Sequence, residues 1–148
     1  MERSYVMLKP GVLQRRLVGE IITRFEKKGL TISAMKMMQI PRETAEHHYA
    51  EHKDKPFFGD LIGYITSAPV VAMVVSGENA VKTIRTLCGA TKIEEALPGT
   101  IRGDYAGATT KNVIHASDAV DTAEREIGIF FKPEEIFDYD VGNTDWVY

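Results

Sequence analysis

PVVAMVVS, residues Pro69–Ser76, is the stretch on which the fold turns. From Val70 to Val75 every residue is apolar, and most are β-branched. Such a run, bounded by a proline and a glycine, predicts a strand buried in the middle of a sheet. It is far too short to span a bilayer. The next segment, GENAVKTIRTLCG (77–89), changes period. Ala80, Val81, Ile84, Leu87 and Cys88 recur at helical spacing and predict a helix with those residues inward.

Working outward, the chain keeps alternating between strand and helix patterns. SYVMLK (4–9) reads as a short strand stopped by Pro10 and Gly11. LQRRLVGEIITRFEKKG (13–29) reads as a helix through Leu17, Val18, Ile21, Ile22 and Phe25, with Gly29 as its stop. LTISAMKMMQI (30–40) is a second strand. PRETAEHHYAEHK (41–53) starts a helix at Pro41, and DKPFFGDLIGYITSA (54–68) forms another. Beyond the central helix, residues 90–112 show little periodicity and read as a loop, and loops of that length in compact domains are usually functional. VIHAS (113–117) is the fourth strand, and DAVDTAEREIG (118–128) a helix capped by Asp118. Stripped of insertions the order is βαββαβ. This predicts one α+β domain over 1–148, a ferredoxin-like, four-stranded antiparallel sheet with helices covering one face.

Composition narrows the function. A net charge of −3 argues against a non-specific nucleic-acid binder. An RNA-recognition module on this fold would also need aromatics on the middle strands and a basic face, and PVVAMVV offers neither. The single cysteine, Cys88, excludes an internal disulfide framework and suits a reducing, cytoplasmic setting. The charges in MERSYVMLK come too early and too often for a secretory signal.

No glycine-rich phosphate loop of either common type is present, so any phosphate chemistry must rely on side chains. Candidates are Lys9 at the end of the first strand, Arg85 on the central helix, Thr91 at the start of the long loop and Arg102 within it. Gly99 and Gly103 flank Arg102 and give the backbone unusual freedom. His48 and His52 share a helical face, but Tyr49 breaks the H-E-x-x-H zinc pattern and no third ligand lies nearby, so an exposed polar face is the preferred reading. Periodicity places both Phe57 and Phe58 in the core. In NVIHASD (112–118), alternation puts Val113 and His115 on one strand face and Ile114 and Ala116 on the other. Taken alone, such a histidine is a packed ring with one hydrogen-bonded nitrogen.

Together these segments resemble the nucleoside diphosphate kinase family. NVIHASD is similar to its N-x-x-H-[GA]-S-D signature, and PGTIRGD, KDKPFF, PVVAMV and RRLVGEII resemble the family at matching positions. The resemblance runs from the first strand to the terminal WVY. It implies Mg²⁺-dependent transfer of a γ-phosphate from nucleoside triphosphates to diphosphates, by a ping-pong route through a phosphohistidine. It further implies a homo-oligomer, commonly a hexamer, with no role for membrane and no requirement for nucleic acid. Carried over by position, His115 matches the nucleophile, attacking through Nδ1, and Glu126 would hold its Nε2–H. Ser117 and Tyr49 match supporting residues. Lys9, Phe57, Arg85, Thr91, Arg102 and Asn112 match nucleotide-contacting positions, with Phe57 stacking on the base and so tolerating any base. The Mg²⁺ is implied to ride on the nucleotide phosphates, with no protein ligand. One departure is visible: after Lys9 and Pro10 the family usually continues Asp-Gly, whereas here Gly11 and Val12 follow.

Overall fold

The computed structural model describes residues 1–148. In chain order the elements are β1 (Glu2–Leu8), α1 (Val18–Lys27), β2 (Thr31–Met38), α2 (Arg42–His48), α3 (Phe58–Ile65), β3 (Val70–Gly77), α4 (Ala80–Cys88), α5 (Ile101–Tyr105), β4 (Ile114–Ala116), α6 (Val120–Phe130) and α7 (Thr144–Val147). The sheet order is β2-β3-β1-β4, and every pairing is antiparallel. No helix is long and apolar enough to cross a membrane.

The expectation of helices on one face needs correction. β3 is buried along its whole length, and its two sets of side chains feed two separate cores. Val71, Met73 and Val75 join Val6 and Leu8 under α1 and α4. Val70, Ala72 and Val74 join Tyr5 and Met7 under α2, α3 and α6. The absence of polar alternation in PVVAMVVS is therefore the mark of a strand covered on both sides. It also leaves the two middle strands no open face for a nucleic acid to occupy.

Four local expectations are also corrected. The first helix does not begin at Leu13: residues around 10–16 form tight turns, Arg16 takes φ 59°, and regular helix starts at Val18. Asp118 does not cap α6, because the residue at the cap is Ala119, in extended conformation. The alternation in VIHAS fails at its first residue: Val113 has φ 76° and is buried in the same core as Ile114 and Ala116. The long loop is partly helical, with a 3₁₀ turn at Ile93–Glu95 followed by α5. The Thr100 hydroxyl caps α5 by accepting from the Gly103 amide at 3.0 Å and itself donates to the Leu97 carbonyl at 2.6 Å.

Gly103 matters for closeness of approach more than for freedom. A Cβ there would stand 1.9 Å from the Leu97 carbonyl oxygen, a backbone atom that cannot swing aside. Gly103→Ala is expected to destabilise the protein by about 1–3 kcal/mol through overpacking. Urea unfolding of the two proteins measures this, and an unchanged midpoint would contradict it.

Candidate active site

β4 is a three-residue strand at the sheet edge, paired with β1 so that His115 faces Met7. The chain enters it through a three-residue turn closed by the Ile114 amide and the Asn112 carbonyl at 2.8 Å, with Val113 in the left-handed region. A valine rarely occupies that region, and such strain clusters at functional sites. Alternation along the strand sends His115 to the opposite face from Ile114 and Ala116, and the turn places Val113 in the same core as those two. The outward carbonyls on either side of His115 are held by guanidinium groups. Arg102 Nη2 donates to Ile114 O at 2.7 Å, and Arg85 Nη1 to Ala116 O at 3.3 Å. Arg102 also donates to Gly89 O at 2.9 Å, while its buried Nε has no partner. A strand edge that would otherwise offer free backbone acceptors is thereby closed.

Behind the histidine lies a buried carboxylate. Glu126, two turns into α6, reaches back to His115 Nε2 with Oε2 at 2.7 Å. Its Oε1 accepts from the Ser117 hydroxyl at 2.7 Å, and Ser117 Oγ accepts in turn from the Tyr5 amide at 3.1 Å. His48 Nε2 meets the same Oε2. Burial pushes the Glu126 carboxyl up, but hydrogen bonds from His115 and His48 outweigh it and leave it well below the usual carboxylate range. Burial also lowers the proton affinity of the His115 ring, against the pull of Glu126. The His115 side chain is 21% exposed, so with Nε2 engaged its Nδ1 is the nitrogen left for chemistry.

Lys9 directly follows β1 and donates from Nζ to Asn112 Oδ1 at 2.6 Å. Burial, then the nearby Arg102, lowers its ammonium to about 8. Tyr49 is buried at the end of α2, its ring 6.2 Å from that of His115, and its hydroxyl has no partner. Lys9, Asn112, Arg85, Arg102, Ser117, Glu126 and Tyr49 therefore all lie at or beside the β4 end of the sheet. Two candidates stand apart. Thr91 is exposed beyond α4. Phe57 precedes α3 and is 48% exposed, its ring near His52 and 5.7 Å from Lys55 Nζ, so the core placement read from periodicity is corrected for Phe57 and holds in part for Phe58.

His48 is the residue that the sequence reading missed. It was expected on an exposed face and is instead buried. The available signal was Ala45, an apolar residue three positions earlier on the same face, which the structure buries with it. His48, His115 and Glu126 bring three ligand-capable atoms within 4.8 Å of one another. Those atoms already satisfy one another by hydrogen bonding, and Glu126 Oε1 is taken by Ser117, so the cluster is a closed network and not an open coordination site. Cys88 is no nucleophile either: burial pushes its thiol up to about 11 against the pull of Arg102 and Arg85.

This arrangement has close counterparts. A nucleoside diphosphate kinase family model matches residues 2–136. A nucleoside diphosphate kinase from Archaeoglobus fulgidus is 59% identical over 148 residues, covering 100% of this chain and 98% of that one. Another from Methanobrevibacter smithii is 56% identical, covering 100% and 99%. Among solved structures, a halophilic nucleoside diphosphate kinase from Halobacterium salinarum in complex with CDP superposes with a TM-score of 0.96 at 50% identity, over 99% of this chain and 98% of that one. With the signature, the sheet order and near-complete coverage in agreement, the chain belongs to the nucleoside diphosphate kinase family.

Proposed function

We propose that the protein transfers the γ-phosphate of a nucleoside triphosphate to a nucleoside diphosphate in two displacements at His115. The observation that carries this reading is the 2.7 Å contact between His115 Nε2 and a buried carboxylate oxygen, which leaves Nδ1 as the free nitrogen of a ring on a rigid strand end. In the first displacement the Nδ1 lone pair forms a bond to the γ-phosphorus. The bond from that phosphorus to the bridging oxygen breaks, and the nucleoside diphosphate leaves with the electron pair. In the second, a β-phosphate oxygen of another diphosphate attacks the same phosphorus, and the N–P electrons return to Nδ1. The Nε2 proton stays with the ring throughout, steadied by Glu126. Ser117 keeps Glu126 in place.

Lys9 and Arg102 supply positive charge where the transferring group spreads its own over three oxygens. Asn112, beside Lys9, is a ribose contact, and Arg85 and Thr91 serve the more distal phosphates. The exposed ring of Phe57 suits stacking on a base, which needs only a π-face and supports broad base tolerance. Glu126, the carboxylate of the cluster, has both oxygens engaged, so Mg²⁺ fits as a passenger on the nucleotide phosphates, where it would neutralise charge. The Halobacterium relative's complex with CDP supports nucleotide binding by this chain. A buried, protonated lone cysteine suits a reducing cytoplasm.

For assembly we infer a homohexamer. The edge strand β2 exposes Met35 and Met37, and Leu97, Phe137 and Trp146 are also largely exposed. Large apolar side chains left open in this number mark surfaces that meet another chain. Light scattering at micromolar concentration is expected to return about six chain masses, and a monomer mass would overturn the assembly.

With γ-labelled ATP and Mg²⁺ but no acceptor, label is expected on His115, lost in acid and stable in alkali. His115→Ala is expected to abolish both label and transfer. Full transfer by that variant, or an acid-stable label, would sink the mechanism.

Lys9 gives a pH signature. Its ammonium is charged below about 8 and neutral above it, and phosphate favours the charged form. The KM for nucleotide is therefore expected to rise by up to about tenfold per pH unit above that value. Lys9→Met is expected to bind weakly at every pH with no such limb. A wild-type KM that stays flat across about pH 7–9 would contradict the role given to Lys9.

A further inference from the structure

We propose that His48 is a positioning residue for the transfer step: it shares one Glu126 oxygen with the His115 ring and so sets how strongly that carboxylate draws on the nucleophile. The inference rests on His115 being the nucleophile.

Two imidazoles converge on Oε2, and the other carboxylate oxygen serves Ser117. His48 is buried, and its Nδ1 has no partner. The ring proton therefore belongs on Nε2, where an acceptor waits, and an acceptor of this kind fixes the tautomer. The ring cannot turn away. The Tyr5 ring meets it edge-on with centroids 5.8 Å apart, Phe130 does so at 5.1 Å, and Tyr49 packs at 4.3 Å. The backbone is pinned as well: Arg125 on α6 donates to the His47 carbonyl at 2.9 Å and to the His48 carbonyl at 3.4 Å. A donor held this firmly against a carboxylate that already serves the nucleophile is more than core filling.

The consequence is electrostatic. The titratable and charged groups facing the two rings are Glu126 and Arg125 from α6, Tyr5 from β1, Lys9 just after β1, and Tyr49 at the end of α2. Burial does most to keep a second proton off His115, and His48 and Lys9 add to it, while Glu126 works the other way. A second donor on Oε2 divides the carboxylate's charge between two rings. It thereby weakens the one influence that would protonate Nδ1, without loosening the bond that orients the ring.

The test compares wild type, His48→Leu and His48→Gln by rapid-quench labelling with γ-labelled ATP and Mg²⁺ at saturating nucleotide, across the imidazole range of pH. In His48→Leu the oxygen loses its second donor. The acid limb of the labelling rate is expected to move up by about one pH unit, so the rate at the foot of the limb falls about tenfold while the plateau is unchanged. In His48→Gln the side-chain amide can donate from the same place, and the wild-type limb is expected to return. A merely structural role would lower the plateau and leave the limb in place. An unmoved limb in His48→Leu, or equal displacement in both variants, overturns the proposal. Should the variants fail to fold, ¹⁵N NMR of the wild type decides: the proton of His48 is expected on Nε2, and its appearance on Nδ1 overturns the proposal. A wild-type chain that takes no label on His115 overturns the nucleophile reading and this inference together. A labelled wild type with an unmoved variant limb overturns the role of His48 alone.

Discussion

The Glu126 carboxylate is the constraint on which the rest depends. It is an ionised group on α6, buried against the sheet and α2, and its charge is tolerable there only because every approach to it carries a donor. Those donors come from different parts of the chain. Ser117 brings in the end of β4 and, through the Tyr5 amide, β1; His115 brings in β4 itself; His48 brings in α2. One side chain on α6 thus ties together the elements that surround the reactive ring. The stacked pair Tyr5 and Phe130, with centroids 4.5 Å apart, closes the apolar wall around it. The network is oriented by folding alone.

Around that anchor the charges divide by task. The carboxylate is on the Nε2 side of the His115 ring, away from Nδ1, and its charge is spent on hydrogen bonds. The cationic groups Lys9, Arg85 and Arg102 already hold neutral acceptors: the Asn112 amide and the carbonyls of Ala116, Gly89 and Ile114. None of these three forms an ion pair with a carboxylate. Their positive charge is therefore left without a carboxylate to neutralise it. The α1–α5 contact keeps α5 in shape from outside, with Arg24 bridging to Asp104 at 2.5 Å and to the Gly99 carbonyl at 3.0 Å.

The sequence carried the fold wherever burial writes a period. β3 was legible from six unbroken apolar residues, and α4 from its inward stripe. The same run also held the message of two covered faces, which a reading limited to element order does not extract. What stayed hidden was decided by contacts between distant segments. α5 is five residues long, too short for periodicity to declare, and it forms through the Thr100 cap and the closeness of Gly103 to Leu97. His48 sits on a helix whose polar composition suggests water, and only the arrival of Glu126 from 78 positions away makes its burial tolerable. The positions of Lys9, Asn112, Arg102 and His115 in the chain were legible through the signature segments. The bonds that relate them were not, because they join β1, α5 and β4 across the fold.

Val113 carries a consequence of a different kind. Its left-handed backbone costs about 1–3 kcal/mol, and the burial of its side chain in the core under α1 and α4 returns about 1.5–3 kcal/mol. The two nearly cancel. Glycine would remove the strain and the burial together, while a polar residue would keep the strain and lose the burial. The residue that turns the chain is thus almost neutral for global stability yet sets how the backbone enters the strand that carries His115. The path of the chain into the β4 strand is thus set by a balance of two local terms, apart from the sum of contacts that makes the rest of the fold sturdy.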